Sequence, residues 1–250
     1  TKYLRNSIRH EIVPLLQKLN PQVLEGFQKT QTHLQQNANL VDDYISVIFS
    51  RVAGKTEFGY SFNIKKLKNI PHTRAVIFQL FKSFGFTEWD DVFHLLNAQP
   101  GKMVVSKTHR LVKDREELLL TTLPSEEKTI YKIPKGEEVV ILPIGTFHLE
   151  ETHHISEENS YCIFVDKTKL KFPLSLRTRK KGDIFYPSGM DGKKKLSKFF
   201  KDKKLSLPEK ENCWLLCCGE EVVWVVGHRQ DRRFETDGHS TKILKITYRL

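Results

Sequence analysis

The sequence predicts an α+β fold: an N-terminal α-helical domain followed by a β-rich C-terminal domain carrying one basic helix. Three observations predict it. Up to about residue 100, apolar residues recur at the spacing of one helix face. After residue 123 they recur in short alternating runs separated by turn-forming residues. The excess charge is confined to one stretch among those runs. Residues 167–204 hold 14 basic and 3 acidic side chains, a net +11 that equals the net charge of the whole chain. The rest of the molecule is therefore a neutral scaffold, and the patch is suited to concentrating a polyanion.

Residues 5–19 carry Ile8, Ile12, Leu15, Leu16 and Leu19 as a helical stripe. Pro14 is expected to interrupt it, because proline lacks a backbone donor and crowds the preceding turn. Asn20 and Pro21 read as a cap and first position of a new helix. Phe27, Leu34, Ala38, Val41, Ile45, Ile48 and Val52 form one apolar seam that ends at Gly54. Such a seam closes either within the chain or across a homodimer. Residues 71–84 supply a partner face of Val76, Ile77, Leu80, Phe81 and Phe84, with Gly85 at the stop position. Thr87 and Asp90 resemble a capping box for a helix that turns Trp89, Val92, Phe93 and Leu96 inward. Residues 103–121 read as a hairpin or edge pair of strands.

The best boundary is Leu123-Pro124-Ser125-Glu126-Glu127. It divides the chain into a junction helix (1–20), a helical domain ending in a hairpin (21–123) and a β-rich domain (124–250). Strands are expected over 130–133, 139–142, 146–149, 161–165, 174–176, 214–217, 222–226 and 243–248, with one helix over 194–203.

Several function classes are excluded. No run of about 18 apolar residues occurs, so no transmembrane helix is expected, and no amphipathic helix shows an exposed Leu/Trp face beside the lysines, which argues against a membrane partner. The start has neither an apolar signal region nor an initiator Met, so the chain is expected to be an excised fragment of a cytoplasmic protein. Cys162, Cys213, Cys217 and Cys218 lack C-x-x-C spacing and read as reduced cysteines on strands. His153 and His154 have no accompanying metal-ligand set, so no metal is expected. Gly189-Met190-Asp191-Gly192-Lys193 lacks the spacing of a Walker A loop. No self-contained catalytic constellation is present.

Within the basic segment, Arg177 and Arg179 alternate along a strand and are expected on one face. Gly189 and Gly192 loosen a loop leading into the helix, whose N-terminus would suit phosphate. Leu196, Phe199 and Phe200 form its buried side and leave Lys194, Lys195, Lys198, Lys201 and Lys204 toward solvent. Asp183 and Asp202 read as acids that hold arginines and lysines in place. A phosphate backbone explains this excess well, since each neutralised phosphate releases counterions. An acidic protein or anionic membrane surface is the alternative partner for a basic interaction module.

The segment resembles the C-terminal region of bacterial tRNA(Ile)-lysidine synthetase. The match runs through Leu176-Arg177-x-Arg179-x-x-Gly182-Asp183-x-Phe185-x-Pro187-x-Gly189-Met190-x-Gly192-x-Lys194-Lys195-Leu196-Ser197-x-Phe199-Phe200-x-Asp202-x-Lys204. It continues in Trp224-Val225-x-Gly227-x-Arg229-x-x-Arg232-Arg233-Phe234. The family's Arg-Asn-x-x-Arg element resembles Arg5-Asn6-Ser7-Ile8-Arg9. Two positions depart from the pattern: Lys198 stands where an acid is usual, and Lys210 near where Arg is usual.

The resemblance implies an enzyme that uses ATP with Mg, and lysine, to modify the wobble cytidine of the AUA-reading tRNA(Ile). That chemistry belongs to an N-terminal domain with a Ser-Gly-Gly-x-Asp-Ser loop, which this sequence lacks. The chain would then need no cofactor of its own, be inactive alone, and dock the tRNA body and acceptor stem. The implied RNA contacts are Arg177, Arg179, Lys193, Lys194, Lys195, Lys203 and Lys204, joined by Arg229 and Arg232 from a later turn. Arg5, Asn6 and Arg9 are expected to support the junction with the catalytic domain, the second implied partner.

Overall fold

The structure is a computed structural model that describes residues 2–124, 129–155, 159–237 and 239–249. Ser125, Glu126 and Glu127 of the expected boundary lie outside the described residues. The chain separates into two compact units, Thr1–Leu120 and Thr121–Leu250. Helices precede antiparallel sheets, as the change of apolar period predicts.

The first unit opens with α1 (Lys2–Ser7), a π-helical turn (Ile8–Ile12) and α2 (Val13–Leu19). Pro14 does not break the helix as expected. It sits in the first turn of α2, and the wider π turn before it accommodates the missing donor. The long helix α3 (Val23–Val52) begins later than the sequence suggests. Asn20 caps the turn that precedes it, its Oδ1 accepting from Gln22 N at 3.0 Å. Of the seam, only Ile48 and Val52 are buried, with Ile45 packed beside them, while Phe27 is 60% and Leu34 63% exposed.

After α3 come β1 (Ala53–Thr56) and β2 (Gly59–Asn63), a hairpin that the helical reading missed because Gly54 looked like a stop. The rest is α4 (Ile64–Lys68), α5 (Thr73–Phe81), α6 (Trp89–His94), β3 (Met103–Val105), β4 (His109–Asp114) and β5 (Glu117–Thr122). The capping box at α6 does not form: Glu88 is the cap, with no side-chain bond to the backbone. The expected hairpin is part of a five-stranded sheet in the order β1-β2-β5-β4-β3. Its core joins the end of α3 to α5, with Phe62 and Phe81 in edge contact at 4.9 Å.

The second unit contains β6 (Tyr131–Ile133), β7 (Val139–Leu142), β8 (Gly145–Thr152), β9 (Cys162–Asp166) and β10 (Leu174–Thr178). The basic segment follows with β11 (Ile184–Phe185), β12 (Lys194–Lys195) and α7 (Leu196–Asp202). Then come α8 (Leu207–Asn212), β13 (Trp214–Cys218), β14 (Glu221–Val225), β15 (Arg229–Gln230) and β16 (Ile243–Arg249). Two sheets, β15-β14-β13-β10-β6 and β7-β8-β16-β9, both send side chains into one core. Leu176, Leu216 and Trp224 come from the first, and Phe147, Leu149, Ile246 and Tyr248 from the second.

The five-stranded sheet is apolar on both faces. On β13, Leu216 and Cys218 enter the inter-sheet core, whereas Leu215 and Cys217 enter a second cluster with Leu196, Phe199 and Phe200 of α7. A strand covered on both sides needs a continuous apolar run, and Trp214-Leu215-Leu216-Cys217-Cys218 is one. The ladder shifts by one residue between Leu216 and Cys217, leaving Val223 as the extra residue of a bulge. Its carbonyl accepts from Asp231 N at 2.8 Å, which places the turn that supports the basic segment.

Candidate nucleic-acid interface

The basic segment leaves the sheet at the end of β10, makes the small ladder β11–β12, and enters α7. The α7 side chains Leu196, Phe199 and Phe200 are buried, as their i, i+3, i+4 spacing predicts. Lys194 and Lys195 stand on β12, ahead of the helix, and not on it as expected. The Leu196 amide already donates to the Asp183 carbonyl at 2.9 Å, so the first N–H of this seven-residue helix is occupied.

Arg177 departs most from the sequence reading. It is only 4% exposed, and its two terminal nitrogens donate to Asp183 at 2.8 and 2.9 Å. Leu174 and Leu176 of β10 enter the inter-sheet core, so alternation turns Arg177 to the opposite face, beside its cross-strand partner Leu215 in the cluster covered by α7. Its guanidinium is therefore not offered to a phosphate. The bond to Asp183 raises the Arg177 pKa, with burial opposing. Burial would push the Asp183 carboxyl up, but bonds from Arg177 and from Lys180 N outweigh it and hold the pKa below the usual carboxylate range.

The loop 186–193 is clamped, not loose. Gly189 and Gly192 have φ of +69° and +81°, conformations that favour glycine. Asp231, fully buried, accepts from Tyr186 N at 2.9 Å and from Arg233 N, Nε and Nη2 at 3.0, 3.0 and 2.8 Å. The Arg233 guanidinium lies 4.5 Å from the Tyr186 ring centroid. Arg229 donates to Ser188 O at 2.8 Å. Arg232 donates to Met190 O at 3.1 Å and pairs with Asp191 at 3.0 Å. Arg229 and Arg232 thus buttress the loop, and only Arg232 of the two is fully at the surface.

The lysines divide in the same way. Lys194 is half-buried and pairs with Asp202 at 2.8 Å, and this bond lowers the Asp202 pKa. Lys193, Lys195, Lys203 and Lys204 are exposed, as are Lys181, Lys198 and Lys201. Among the described residues, no hydrogen bond or ion pair engages the side-chain amine of Lys193, Lys195, Lys198 or Lys203. Arg179 is half-buried and likewise unpaired among the described residues. Lys210 lies in α8. In the first unit, Arg5, Asn6 and Arg9 lie exposed on α1 and the π turn.

Sequence reasoning did not connect Tyr131 or Trp214 with these cations. They come from β6 and β13, the two strands that flank β10, and their ring centroids are 5.6 Å apart beside Arg179. No local signal links them, because the pairing depends on strand order. Among the described residues, no group of three or more His, Cys, Asp or Glu is placed to hold a metal ion. No described helix is long and apolar enough to cross a membrane.

Residues 55–123 match the family model described as the TilS substrate binding domain, and residues 174–247 match that described as the TilS substrate C-terminal domain. A tRNA(Ile)-lysidine synthase of Parabacteroides distasonis is 37% identical over 98% of this chain and 57% of its own length. One of Bacteroides thetaiotaomicron is 34% identical over 97% of this chain and 55% of its own. A crystal structure titled as the TILS C-terminal domain aligns at a TM-score of 0.42 with 23% identity, covering 48% of this chain and 97% of that one. The chain spans little more than half the length of these two relatives. With both domain models matched in order along the sequence, the chain belongs to the TilS family, as its substrate-binding and C-terminal region.

Proposed function

We propose that this chain is the tRNA-docking part of a tRNA(Ile)-lysidine synthase, and that its second unit holds the RNA by its phosphates. One observation carries this reading. Exposed lysines without acidic partners (Lys193, Lys195, Lys198 and Lys203) surround a segment in which Arg177, Lys194 and Arg232 are paired with Asp183, Asp202 and Asp191. Paired charges contribute little field at the surface, whereas unpaired ones release counterions when a phosphate arrives. The clamped loop and the packed α7 fix these lysines on a rigid frame, which suits the shape and backbone reading used for A-form stems.

The phosphate contacts on this reading are Arg179, Lys193, Lys195, Lys203 and Lys204, with Lys198 added. Lys194, Arg229 and Arg232 shape the surface, and Arg177 anchors it from beneath. The ATP-dependent step, with its Mg and lysine, belongs to a catalytic domain outside this chain, which Arg5, Asn6 and Arg9 help to join.

The test is a substitution pair. Lys193→Ala with Lys195→Ala should weaken tRNA binding and lower the salt slope by about two units, one per phosphate contact. Unchanged affinity and slope in the folded double variant would refute the assignment.

A further inference from the structure

The second unit carries a groove of about 930 Å³ beside the exposed lysines, and phosphate docking alone leaves it unused. Its size falls within the range of about 300–1,000 Å³ found for small-ligand sites. Tyr131 and Trp214 form one wall, each half-buried against the inter-sheet core, so one part of each ring is packed and the rest faces the groove. Arg179 and Lys195 also line it. Of its two lining acids, Asp183 is bonded to Arg177, which leaves Glu211 as the other. The groove thus combines an aromatic surface with cations that exceed its acids.

That combination matches one chemical class. A duplex offers phosphates but keeps its base faces stacked, so it has no use for an aromatic wall. An unpaired nucleotide offers both a free base face and a phosphate. We infer that the groove takes an unpaired nucleotide of the bound RNA, its base stacked on the Trp214–Tyr131 wall and its phosphate held by Arg179 and Lys195. This rests on the RNA-docking reading above and adds to it: the chain would sense where a stem gives way to a single strand.

The test compares two RNAs, a blunt duplex of ~12 base pairs and the same duplex ending in about four unpaired nucleotides on each strand. Binding is read by fluorescence anisotropy at matched salt. The forked RNA should bind about tenfold more tightly, the scale of one base–aromatic stack. Trp214→Leu should erase that advantage while leaving blunt-duplex binding unchanged, and Trp214→Phe should keep most of it. Arg179→Gln, a change at the groove surface, should reduce it and guards against a misfolded Trp214 variant. Equal binding of forked and blunt RNA would overturn the inference while leaving phosphate docking intact. So would a fork preference that survives both Trp214→Leu and Arg179→Gln. Absence of binding to any RNA would overturn the docking reading and this inference with it.

Discussion

The Arg177 guanidinium meets the Asp183 carboxylate through two parallel bonds of 2.8 and 2.9 Å, at the point where β10 leaves the sheet. A fork geometry of this kind cannot be reproduced by lysine. It ties the root of the basic segment to the start of β11, so the exposed lysines inherit their positions from a buried pair.

Removing one partner should therefore cost more than removing a surface charge. Asp183→Asn leaves the Arg177 charge buried without a counterion and should destabilise the second unit by about 3–5 kcal/mol in urea unfolding. Because the folded Asp183 pKa lies below its unfolded value, the pair's contribution is complete above about pH 4–5 and is lost as pH falls through the folded value. The acid limb of the stability profile should thus flatten in Asp183→Asn. An unchanged acid limb would show that the pair does not couple to folding.

Asp231 joins the turn after β15 to the loop 186–193 by accepting four hydrogen bonds. Asp231→Ala should release that loop. Amide exchange at Tyr186 should accelerate, and unfolding free energy should drop by about 1–3 kcal/mol, since the Tyr186 N–H loses its acceptor while Arg233 keeps its pair with Glu221. Protection at Tyr186 equal to that of the unsubstituted chain would remove Asp231 from this role.

The seam of α3 is predicted to behave unequally along its length. Ile48→Ala should cost about 2–5 kcal/mol, because Ile48 sits in the core with Phe81 and Leu118. Phe27→Ser should change monomer stability by about 0.5 kcal/mol or less. A large loss for Phe27→Ser would show that the upper seam is covered in solution.

Burial pushes the Cys217 thiol up to about 11 and that of Cys213 up to about 12. A thiolate is the reactive form, and at pH 8 its share at Cys217 would be on the order of one in a thousand. The four buried cysteines should react with an aromatic disulfide reagent only at the rate of unfolding. Rapid labelling of the folded chain would contradict their burial.

How much was legible in the sequence follows from how local each signal is. Alternating apolar runs placed all eight expected strands of the second unit within a few residues, and the i, i+3, i+4 pattern gave the buried face of α7. The hairpin of β1 and β2 escaped because its Gly54 resembles a helix stop. Charge counting found the basic segment but not which charges are free. Arg177 and Lys195 look alike in sequence, yet one is buried against Asp183 and the other exposed. Only strand order brings Asp231 under the loop and Tyr131 beside Trp214, and strand order is a long-range property.

The most direct test of tRNA docking is the affinity of this chain for an AUA-reading isoleucine tRNA across a salt series. Docking through unpaired lysines predicts that log K falls linearly with log salt, with a slope of about −3 to −6 for a handful of phosphate contacts. A slope near zero, or no binding at low salt, would contradict it.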